Sequence, residues 1–444
     1  MTAFALTDEP FTPLRQALER LEEAVSPLSG IVTAVLRTTT TPEHTPLPNH
    51  ACELASSRRT LGAATVEYGS GAGLRHDVAR AAAIGEALER YSASFLPEDR
   101  LWHGTARRLG ERAVRPRTFA LFHPQQLAQP GFPFAPFTEE TETDFVEGIR
   151  VITGEPAYVP AGLVFLWPAP GGGRPIAYPT SSGLACAPTA TEATLAALLE
   201  LIERDAVMLA WNCRLSLPLL DWSDDRAVSA QDERFFATTA VRYSVLDGSV
   251  FLGVPVAIAV THGPPGSGGA LAVGAACAAE ARDAWLKALS ESFGVYRWLC
   301  IKSPAGHAVK APEEVQTFDD HMLFYAREEQ AALASFLDES DARVPISRVP
   351  ALAGNRPRAL LDAVVARLEE RGLGVYAVDA TSPDVRELGL SVVRVVCPEL
   401  CQLDVSHTAR YLGGHRLYNA PFDLGLARER LSVEQLNPYP HPFP

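Results

Sequence analysis

The stretches GEALERYSAS (85–94) and LLELIERDAV (198–207) carry the same Glu-x-x-Glu-Arg triplet inside apolar runs that are typical of helices. Helix positions i and i+3 lie on one face. Each triplet therefore places two glutamates side by side: Glu86 with Glu89, and Glu200 with Glu203. Adjacent carboxylates repel each other, so each pair needs a positive charge close by.

The sequence allows two sources of that positive charge. Arg90 and Arg204 follow the glutamates directly and could form ordinary salt bridges on a solvated helix face. A divalent cation is the alternative, because Mg²⁺ binds carboxylate oxygens and is often shared with substrate phosphates. Most single Glu-x-x-Glu-Arg strings belong to the first class.

The surroundings of the triplets favour a ligand site. A segment of small residues, predicted as a turn, precedes each helix: Ser70-Gly71-Ala72-Gly73 before the first, and Ser181-Ser182-Gly183 before the second. Glycine lets the backbone approach a ligand, and a helix N-terminus offers free N–H groups to an anion. A third Ala-rich helix, ARDAWLKALSESFGVYRWL, carries Glu291 and Arg297. The chain contains neither a P-loop nor a dinucleotide-binding glycine fingerprint.

Composition excludes several classes of protein. The net charge is −14, from 53 acidic and 39 basic residues, which argues against a nucleic-acid-binding protein. No apolar run reaches the roughly 18 residues that a membrane span needs, and MTAFALTDEPFTPLRQ lacks the features of a secretory signal. Seven scattered cysteines are predicted to be buried thiols. We therefore expect a cytoplasmic protein without a membrane partner.

Helical and β-branched segments alternate along the chain and predict a mixed α/β (α+β) fold. Helices are expected at 13–26, 76–95, 188–211 and 279–300, a strand at 30–40, a hairpin around GPPGSGG, and a helix, glycine stop and strand over 357–381. Because no low-complexity linker divides the sequence, we predict one domain over 1–444, with an N-terminal segment (1–50) and a Pro-rich tail (431–444).

Three segments together resemble the YcaO superfamily, whose members bind ATP through Glu-rich helices instead of a Walker motif. The matching segments are SGAGLRHDVARAAAIGEALERYSA (70–93), SSGLACAPTATEATLAALLELIERDAV (181–207) and AWLKALSESFGVYRWL (284–299). The resemblance implies a YcaO-type ATP-binding fold, in which repeated Glu-rich helices pack on β-sheets, with ATP and Mg²⁺ as cofactors.

The resemblance also implies roles for individual residues. The Mg²⁺ ligands would be Glu86, Glu89, Glu200 and Glu203. The ATP-binding residues would be Ser70, Gly71, Gly73, Ser182, Glu192, Arg204, Glu291 and Arg297. Two segments depart from the usual pattern. Ala72 stands where many relatives have lysine, and Ser182-Gly183-Leu184-Ala185-Cys186-Ala187 stands where they have Asn-Gly-x-Ala-x-Gly. The missing lysine removes one cation that could meet a phosphate.

The end of the sequence, LNPYPHPFP (436–444), alternates proline with other residues and is expected to be extended and stiff. A frayed tail is the ordinary expectation for a terminus. This one resembles the Pro-rich ending of azoline-forming YcaO cyclodehydratases, in which the tail reaches the active site. By that resemblance, the carboxylate of Pro444 is a candidate proton acceptor.

The resemblance therefore implies an ATP-dependent cyclodehydratase that converts Cys, Ser or Thr of a ribosomally made precursor peptide to thiazoline or oxazoline rings. Because no leader-binding module is apparent, a separate E1-like partner is expected, and a homodimer is compatible with the family. Two alternatives stay open. One is another YcaO reaction, the formation of a thioamide or a macroamidine, and the other is a non-catalytic YcaO-like scaffold.

Overall fold

The computed structural model describes residues 4–38, 45–56, 68–166, 174–303 and 309–444. Its α-helices are α1 (Leu14–Glu22), α2 (His76–Ala93), α3 (Ala106–Leu109), α4 (Pro124–Leu127), α5 (Ala190–Asn212), α6 (Arg226–Phe235), α7 (Ala281–Lys302), α8 (Phe318–Phe324), α9 (Glu328–Ala331), α10 (Pro357–Glu369), α11 (Pro383–Glu387) and α12 (His415–Asp423). Its strands are β1 (Val32–Arg37), β2 (Asn49–Leu54), β3 (Tyr68–Ala72), β4 (Leu101–Gly104), β5 (Thr143–Arg150), β6 (Pro156–Pro160), β7 (Leu184–Ala187), β8 (Leu219–Asp221), β9 (Arg242–Asp247), β10 (Val256–His262), β11 (Leu271–Cys277), β12 (Arg343–Pro345), β13 (Tyr376–Asp379) and β14 (Ser391–Val396).

The strands form three sheets. The first is an antiparallel sheet with the order β1-β2-β3, and the second has the order β11-β10-β9-β8-β12 and is antiparallel except where β12 pairs with β8. The third has the order β4-β5-β13-β14-β7, with β6 paired to β5, and all its pairings are antiparallel. Long helices lie against each sheet, which gives the mixed α/β fold that the sequence predicts.

Strand β14 shows how the sheets divide the interior. Its side chains alternate between two faces, as in any strand. Val393 and Val395 belong to one apolar core, together with α5, α7 and the second sheet. Val392 and Val396 belong to a second core, together with α2 and the first sheet. The third sheet therefore separates two packed layers, with α5 in one layer and α2 in the other. Both helices carry residues of the site described below.

The structure confirms the helices expected from the sequence. The predicted segments 13–26, 76–95, 188–211 and 279–300 correspond to α1, α2, α5 and α7. Strand β1 falls within the predicted strand 30–40. In the predicted N-terminal segment, 1–3 and 39–44 lie outside the described residues. Strands β10 and β11 pair as the expected hairpin. Among the described residues, no helix is both long and apolar enough to cross a bilayer.

The small-residue segments differ from the prediction. The segment that includes Ser70 and Gly71 lies in strand β3, and the Ser182–Gly183 turn leads into strand β7 and not directly into a helix. The space around Gly71 shows why β3 needs glycine there. At Gly71 a Cβ would lie 2.4 Å from both the carbonyl oxygen of Ala79 and the amide nitrogen of Ala83, because β3 lies directly against α2. Glycine there permits close packing of strand on helix.

Candidate active site

Three glutamates occupy equivalent places in three strand–helix units. Glu86, Glu200 and Glu291 are each the eleventh residue of their helices, α2, α5 and α7. Each accepts a hydrogen bond from a backbone N–H of the segment that precedes its helix. The donors are Ser70 for Glu86, Gly183 for Glu200, and Ala275 for Glu291, the last at 2.7 Å. The fold thus turns three separate carboxylates toward one region.

The second glutamate of each triplet joins this region. Glu203 is buried and accepts a hydrogen bond of 3.3 Å from the amide of Cys277 in β11. Glu89 interacts electrostatically with Glu200 of α5 and with Glu86 of its own helix, α2. We name Glu86, Glu89, Glu200, Glu203 and Glu291 the carboxylate cluster. The two Glu-x-x-Glu-Arg triplets therefore converge, although more than a hundred residues separate them in the sequence.

A cavity of about 300 Å³ opens beside the carboxylate cluster. Glu86, Glu89 and Glu200 line one part of it, and small or apolar side chains line the rest: Leu21, Ala81, Ala82, Gly85, Leu184, Ala185, Cys186, Ala187, Pro188, Ala196 and Leu390. Its volume is at the lower end of that of small-molecule sites. A larger cavity, of about 550 Å³, lies near Arg242, His262 and Asp338. It shares no lining residue with the first cavity.

Burial and mutual repulsion control the charge of the carboxylate cluster. The pKa of Glu89 is raised well above its ordinary value by burial first and then by Glu200 and Glu86. Burial also raises the pKa of Glu203 well above its ordinary value, with Arg204 opposing that shift, and raises the pKa of Glu291 to about 7. The raised pKa values show that the ionised carboxylates lack sufficient compensating positive charge, and a bound cation would favour their ionised form.

Three arginines face the carboxylate cluster. Arg90 forms a 2.7 Å ion pair with Glu86, and Arg204 lies 3.5 Å from Glu200 and 3.6 Å from Glu203. Both ion pairs that the sequence offered are therefore present. The third arginine, Arg394 of β14, interacts with Glu200 and Glu89 and was not predicted. Five carboxylates against three guanidinium groups leave a negative excess that salt bridges do not remove.

The donor chemistry fits Mg²⁺. Carboxylate oxygens are the hard ligands that this ion prefers, and it is usually held by one or two carboxylates together with water and substrate phosphates. Among the residues that the structure describes, no group of three or more His, Cys, Asp or Glu side chains could hold a metal ion by itself. The arrangement is therefore one that a metal–phosphate complex would complete, and it is unlike a protein-only metal cage.

Two residues predicted for nucleotide binding lie apart from the cluster. The carboxylate of Glu192 is bonded to Thr12, through the amide at 2.6 Å and the hydroxyl at 3.1 Å, and to the Thr189 hydroxyl at 3.1 Å. It therefore anchors the N-terminal segment to the start of α5. Arg297 is six positions after Glu291, so its side chain leaves α7 about 120° away from that glutamate. The nucleotide-binding roles of Glu192 and Arg297 stay predictions.

The Pro-rich tail is docked along α5. Trp211 Nε1 donates to the Tyr439 carbonyl at 3.0 Å, and Arg204 Nη1 donates to the Pro444 carbonyl at 3.0 Å. His321 of α8 places Nδ1 2.9 Å from the His441 carbonyl oxygen. Tyr325, directly after α8, donates its hydroxyl to the Pro440 carbonyl at 2.6 Å. Phe443 is fully buried. The tail is therefore ordered, and its last residue lies beside the second triplet.

Comparison with known proteins identifies the family. The family model described as YcaO cyclodehydratase, ATP- and Mg²⁺-binding, matches residues 70–401, about three quarters of the chain. The chain belongs to this YcaO family. It is therefore an ATP-dependent YcaO enzyme that uses ATP and Mg²⁺, as the resemblance implied. The alternative of a non-catalytic scaffold has no support.

Relatives show how far the similarity extends. A protein from Methanothermobacter thermautotrophicus, described as uncharacterized, is 26% identical over 349 residues, which is 77% of this chain and 84% of that protein. A heterocyclase in complex with substrate and cofactor matches 99% of this chain with a TM-score of 0.82 and 24% identity. This YcaO chain covers 59% of that heterocyclase, a little over half of its length.

Two further structures match nearly all of their own chains. The YcaO protein from Methanopyrus kandleri, bound with AMPPCP and Mg²⁺, has a TM-score of 0.61 at 22% identity, with 88% of this chain and 90% of that chain covered. A chain of the E. coli microcin synthetase McbBCD complex has a TM-score of 0.60 at 13% identity, with 94% and 98% covered. At these identities the likenesses show the YcaO fold, which confirms the predicted fold class.

Sequence reasoning missed several residues that hold this site together. Arg394 is the lone charge in the apolar stretch LSVVRVV, a signal that was visible because arginine is rarely buried without a partner. Trp211 is buried, and its indole N–H donates a hydrogen bond to the tail. His321 and Tyr325 carried no signal, because their partners are backbone carbonyls far away in the chain.

Proposed function

We propose that this YcaO enzyme forms azoline rings in a ribosomally made precursor peptide by ATP-dependent cyclodehydration of Cys, Ser or Thr. The observation that carries the proposal is the position of the Pro-rich tail, whose last residue is hydrogen-bonded to Arg204 beside the carboxylate cluster. In this arrangement a carboxylate at the end of the tail lies next to the region where a nucleotide and Mg²⁺ would bind.

The reaction proceeds by addition, phosphorylation and elimination. The thiol or hydroxyl of the peptide adds to the preceding carbonyl carbon and loses its proton to a base. The resulting oxyanion takes the γ-phosphoryl group of ATP, and ADP leaves. The C–O bond then breaks with phosphate as the leaving group, while the nitrogen gives up its proton and forms the C=N bond. The peptide loses the atoms of one water, whose oxygen ends in phosphate.

Each part of the site has an assigned task in this proposal. Glu86, Glu89, Glu200 and Glu203 hold Mg²⁺, which neutralises charge on the transferring phosphoryl group. Ser70 and Ser182 lie on the segments whose backbone amides orient Glu86 and Glu200, and Glu291 extends the carboxylate cluster from α7. Arg204 links this cluster to the tail. The carboxylate of Pro444 is the proposed general base.

The base assignment takes Pro444 as the last residue of the protein, and the mass of the purified protein tests that premise. One glycine added after Pro444 moves the carboxylate by about 3 Å along a stiff, PPII-like run. A base must lie within about 3 Å of the proton that it takes, or act through one water. The extended protein is therefore expected to bind ATP normally and to form rings poorly. Ring formation at the normal rate would contradict the base assignment.

The proposal extends to partners. We propose that a separate E1-like protein binds the leader of the precursor peptide and raises activity, by analogy with the microcin synthetase, which is named as a complex of several proteins. Adding such a partner should increase the rate of ring formation, and full activity without it would contradict this part. A homodimer is also proposed, and light scattering tests it. A cytoplasmic location is supported by seven unpaired cysteines.

Mass spectrometry separates azoline formation from the other YcaO reactions. Each azoline lowers the peptide mass by one water, whereas a thioamide exchanges oxygen for sulfur and raises the mass. A macroamidine also loses one water, but it forms from an amine. A substrate peptide with alanine in place of its Cys, Ser and Thr residues therefore distinguishes the two. Loss of the mass change supports azoline formation, and its persistence supports an amidine.

A further inference from the structure

Arg394 is a buried cation that the family motifs do not include. It lies in β14, paired with Leu184 of β7 and Val378 of β13, and is 6% exposed. Along β14 it shares a face with Val392 and Val396, whose side chains pack in the core that contains α2. A guanidinium group in an apolar strand is costly unless charged or polar partners compensate it.

The partners of Arg394 come from the carboxylate cluster and one carbonyl. Nη1 donates to the Thr180 carbonyl at 2.6 Å, two residues before the Ser182–Gly183 turn. Glu200 and Glu89 supply the opposing negative charge. Burial lowers the pKa of Arg394 to about 10, which leaves the side chain protonated at neutral pH. Arg394 therefore links the third sheet to glutamates of both α2 and α5.

One donor of Arg394 is left over. Its Nε is buried and has no hydrogen-bond partner. Arg204 Nε also forms no hydrogen bond, but it lies 3.6 Å from a carboxylate oxygen of Glu203. A buried donor without a partner costs free energy, so such groups call for an explanation. An unused donor on a guanidinium group that interacts with the carboxylate cluster indicates a ligand rich in acceptor oxygens. Phosphate fits best, because guanidinium groups match its geometry and charge.

We propose that Arg394 binds a phosphate oxygen of the nucleotide through Nε, while the hydrogen bond to the Thr180 carbonyl holds its guanidinium group in place and the charges of Glu200 and Glu89 favour its protonated form. Arg394 thereby supplies a cation to the polyphosphate in a chain that has Ala72 where many relatives have lysine. This inference rests on the proposed position of the nucleotide at the carboxylate cluster. It adds a residue from β14 to a site otherwise built from three helices and their preceding segments.

Isothermal titration calorimetry with Mg²⁺ and AMPPCP, paired with an NMR titration of adenosine, tests the proposal. Arg394→Met should weaken AMPPCP binding by about tenfold to a hundredfold, as loss of a charge-assisted hydrogen bond predicts, and leave adenosine binding unchanged. Arg394→Lys should lose less, since it keeps the charge without the planar fork. The matched control is Arg416→Lys, which alters a buried arginine paired with Asp205 and should change neither affinity.

Two results would overturn the role of Arg394. Normal AMPPCP binding by Arg394→Met would show that the side chain does not contact phosphate, and an equal loss of adenosine binding would show that it only supports the fold. Glu89→Gln distinguishes a wrong role for Arg394 from a wrong position for the nucleotide. If Glu89→Gln weakens binding and Arg394→Met does not, only the arginine is misassigned. If neither does, the nucleotide binds elsewhere.

Discussion

Arg204 Nη1 lies 3.0 Å from the carbonyl oxygen of Pro444, although 240 residues separate the two along the chain. The guanidinium carbon also lies 4.6 Å from the centre of the Phe443 ring. The same side chain pairs with Glu200 and Glu203. One arginine therefore connects the second Glu-x-x-Glu-Arg triplet to the end of the Pro-rich tail, and the position of the tail depends on the same helix that carries the carboxylates.

Removal of this arginine should free the end of the tail. Arg204→Met abolishes a hydrogen bond to a charged donor, a contact of roughly 1.5–3 kcal/mol, together with the stacking on Phe443. Hydrogen exchange at the amides of Tyr439, His441 and Phe443 should become about tenfold to a hundredfold faster, and ring formation should fall at least as much. Arg234→Met, which alters an arginine stacked on Phe235 elsewhere, is the control. Unchanged exchange in Arg204→Met would show that other contacts position the tail.

The glutamates of the triplets should be needed for ATP turnover and not for folding. Glu89→Gln and Glu203→Gln keep the side-chain shape and remove one charge each, and a helix tolerates Gln as well as Glu. We expect turnover to fall by about a hundredfold or more, with a metal-free melting temperature no lower than that of the unaltered protein, because repulsion is relieved. Glu19→Gln, on the exposed side of α1, is the control. Normal turnover in both variants would refute the metal assignment.

The stability of the metal-free protein should fall as pH rises toward neutrality. Glu291 has an ordinary pKa of 4.5 and a pKa of about 7 in the folded protein. Between these values the folded state holds one proton more than the unfolded state, so unfolding becomes easier as pH increases. Denaturant titrations in EDTA from pH 5 to pH 8 should show this decline. Glu291→Gln should make it less steep without removing it, because the pKa values of Glu89, Glu200 and Glu203 are raised as well. Identical profiles would mean that Glu291 is ionised throughout.

Binding of Mg²⁺ should respond to pH in the opposite direction. Carboxylates bind the ion only after they lose their protons, and the pKa values of Glu89, Glu200 and Glu203 are raised, so affinity should rise with pH. Calorimetric titration of Mg²⁺ with AMPPCP at several pH values measures this slope. Affinity that does not depend on pH would place the metal away from the buried carboxylates.

The sequence predicted the helices because helical periodicity is a property of consecutive residues. The convergence of the two triplets, which are more than a hundred residues apart, was implied only by the resemblance to the YcaO superfamily. The strand at Ser70 and Gly71 was missed because glycine-rich segments usually indicate turns. Its strand conformation depends on pairing with β2 and on contact with α2, which a local pattern does not contain.

Long-range contacts account for the other differences. Glu192 lies in the expected helix, but its carboxylate is bonded to Thr12, which is 180 residues away. Arg394 entered the site because β14 lies between the two triplet helices, and no spacing in the sequence encodes that position. The docking of the tail is similar, since four of its carbonyl groups bond to side chains of α5, α8 and Tyr325. Such contacts follow from the completed fold.

Two glycine substitutions test the packing interpretation of β3. At Gly71 a Cβ would lie 2.4 Å from backbone atoms of α2, so Gly71→Ala should destabilise the protein by about 1–3 kcal/mol through overpacking. At Gly294 in α7 a Cβ meets nothing within 4 Å, so Gly294→Ala should stabilise it by roughly 0.5–1 kcal/mol. Denaturant titrations measure both. A harmless Gly71→Ala would contradict the packing interpretation.

The fate of one oxygen atom tests the central claim most directly. A precursor peptide is made with ¹⁸O in the backbone carbonyl that precedes its cyclised Cys, Ser or Thr, and is incubated with the enzyme, its partner, Mg²⁺ and ATP. If the peptide oxygen takes the γ-phosphoryl group, each ring formed should release one phosphate that carries the ¹⁸O label, together with ADP. Ring formation that leaves the released phosphate unlabelled would contradict ATP-dependent phosphorylation of the peptide backbone.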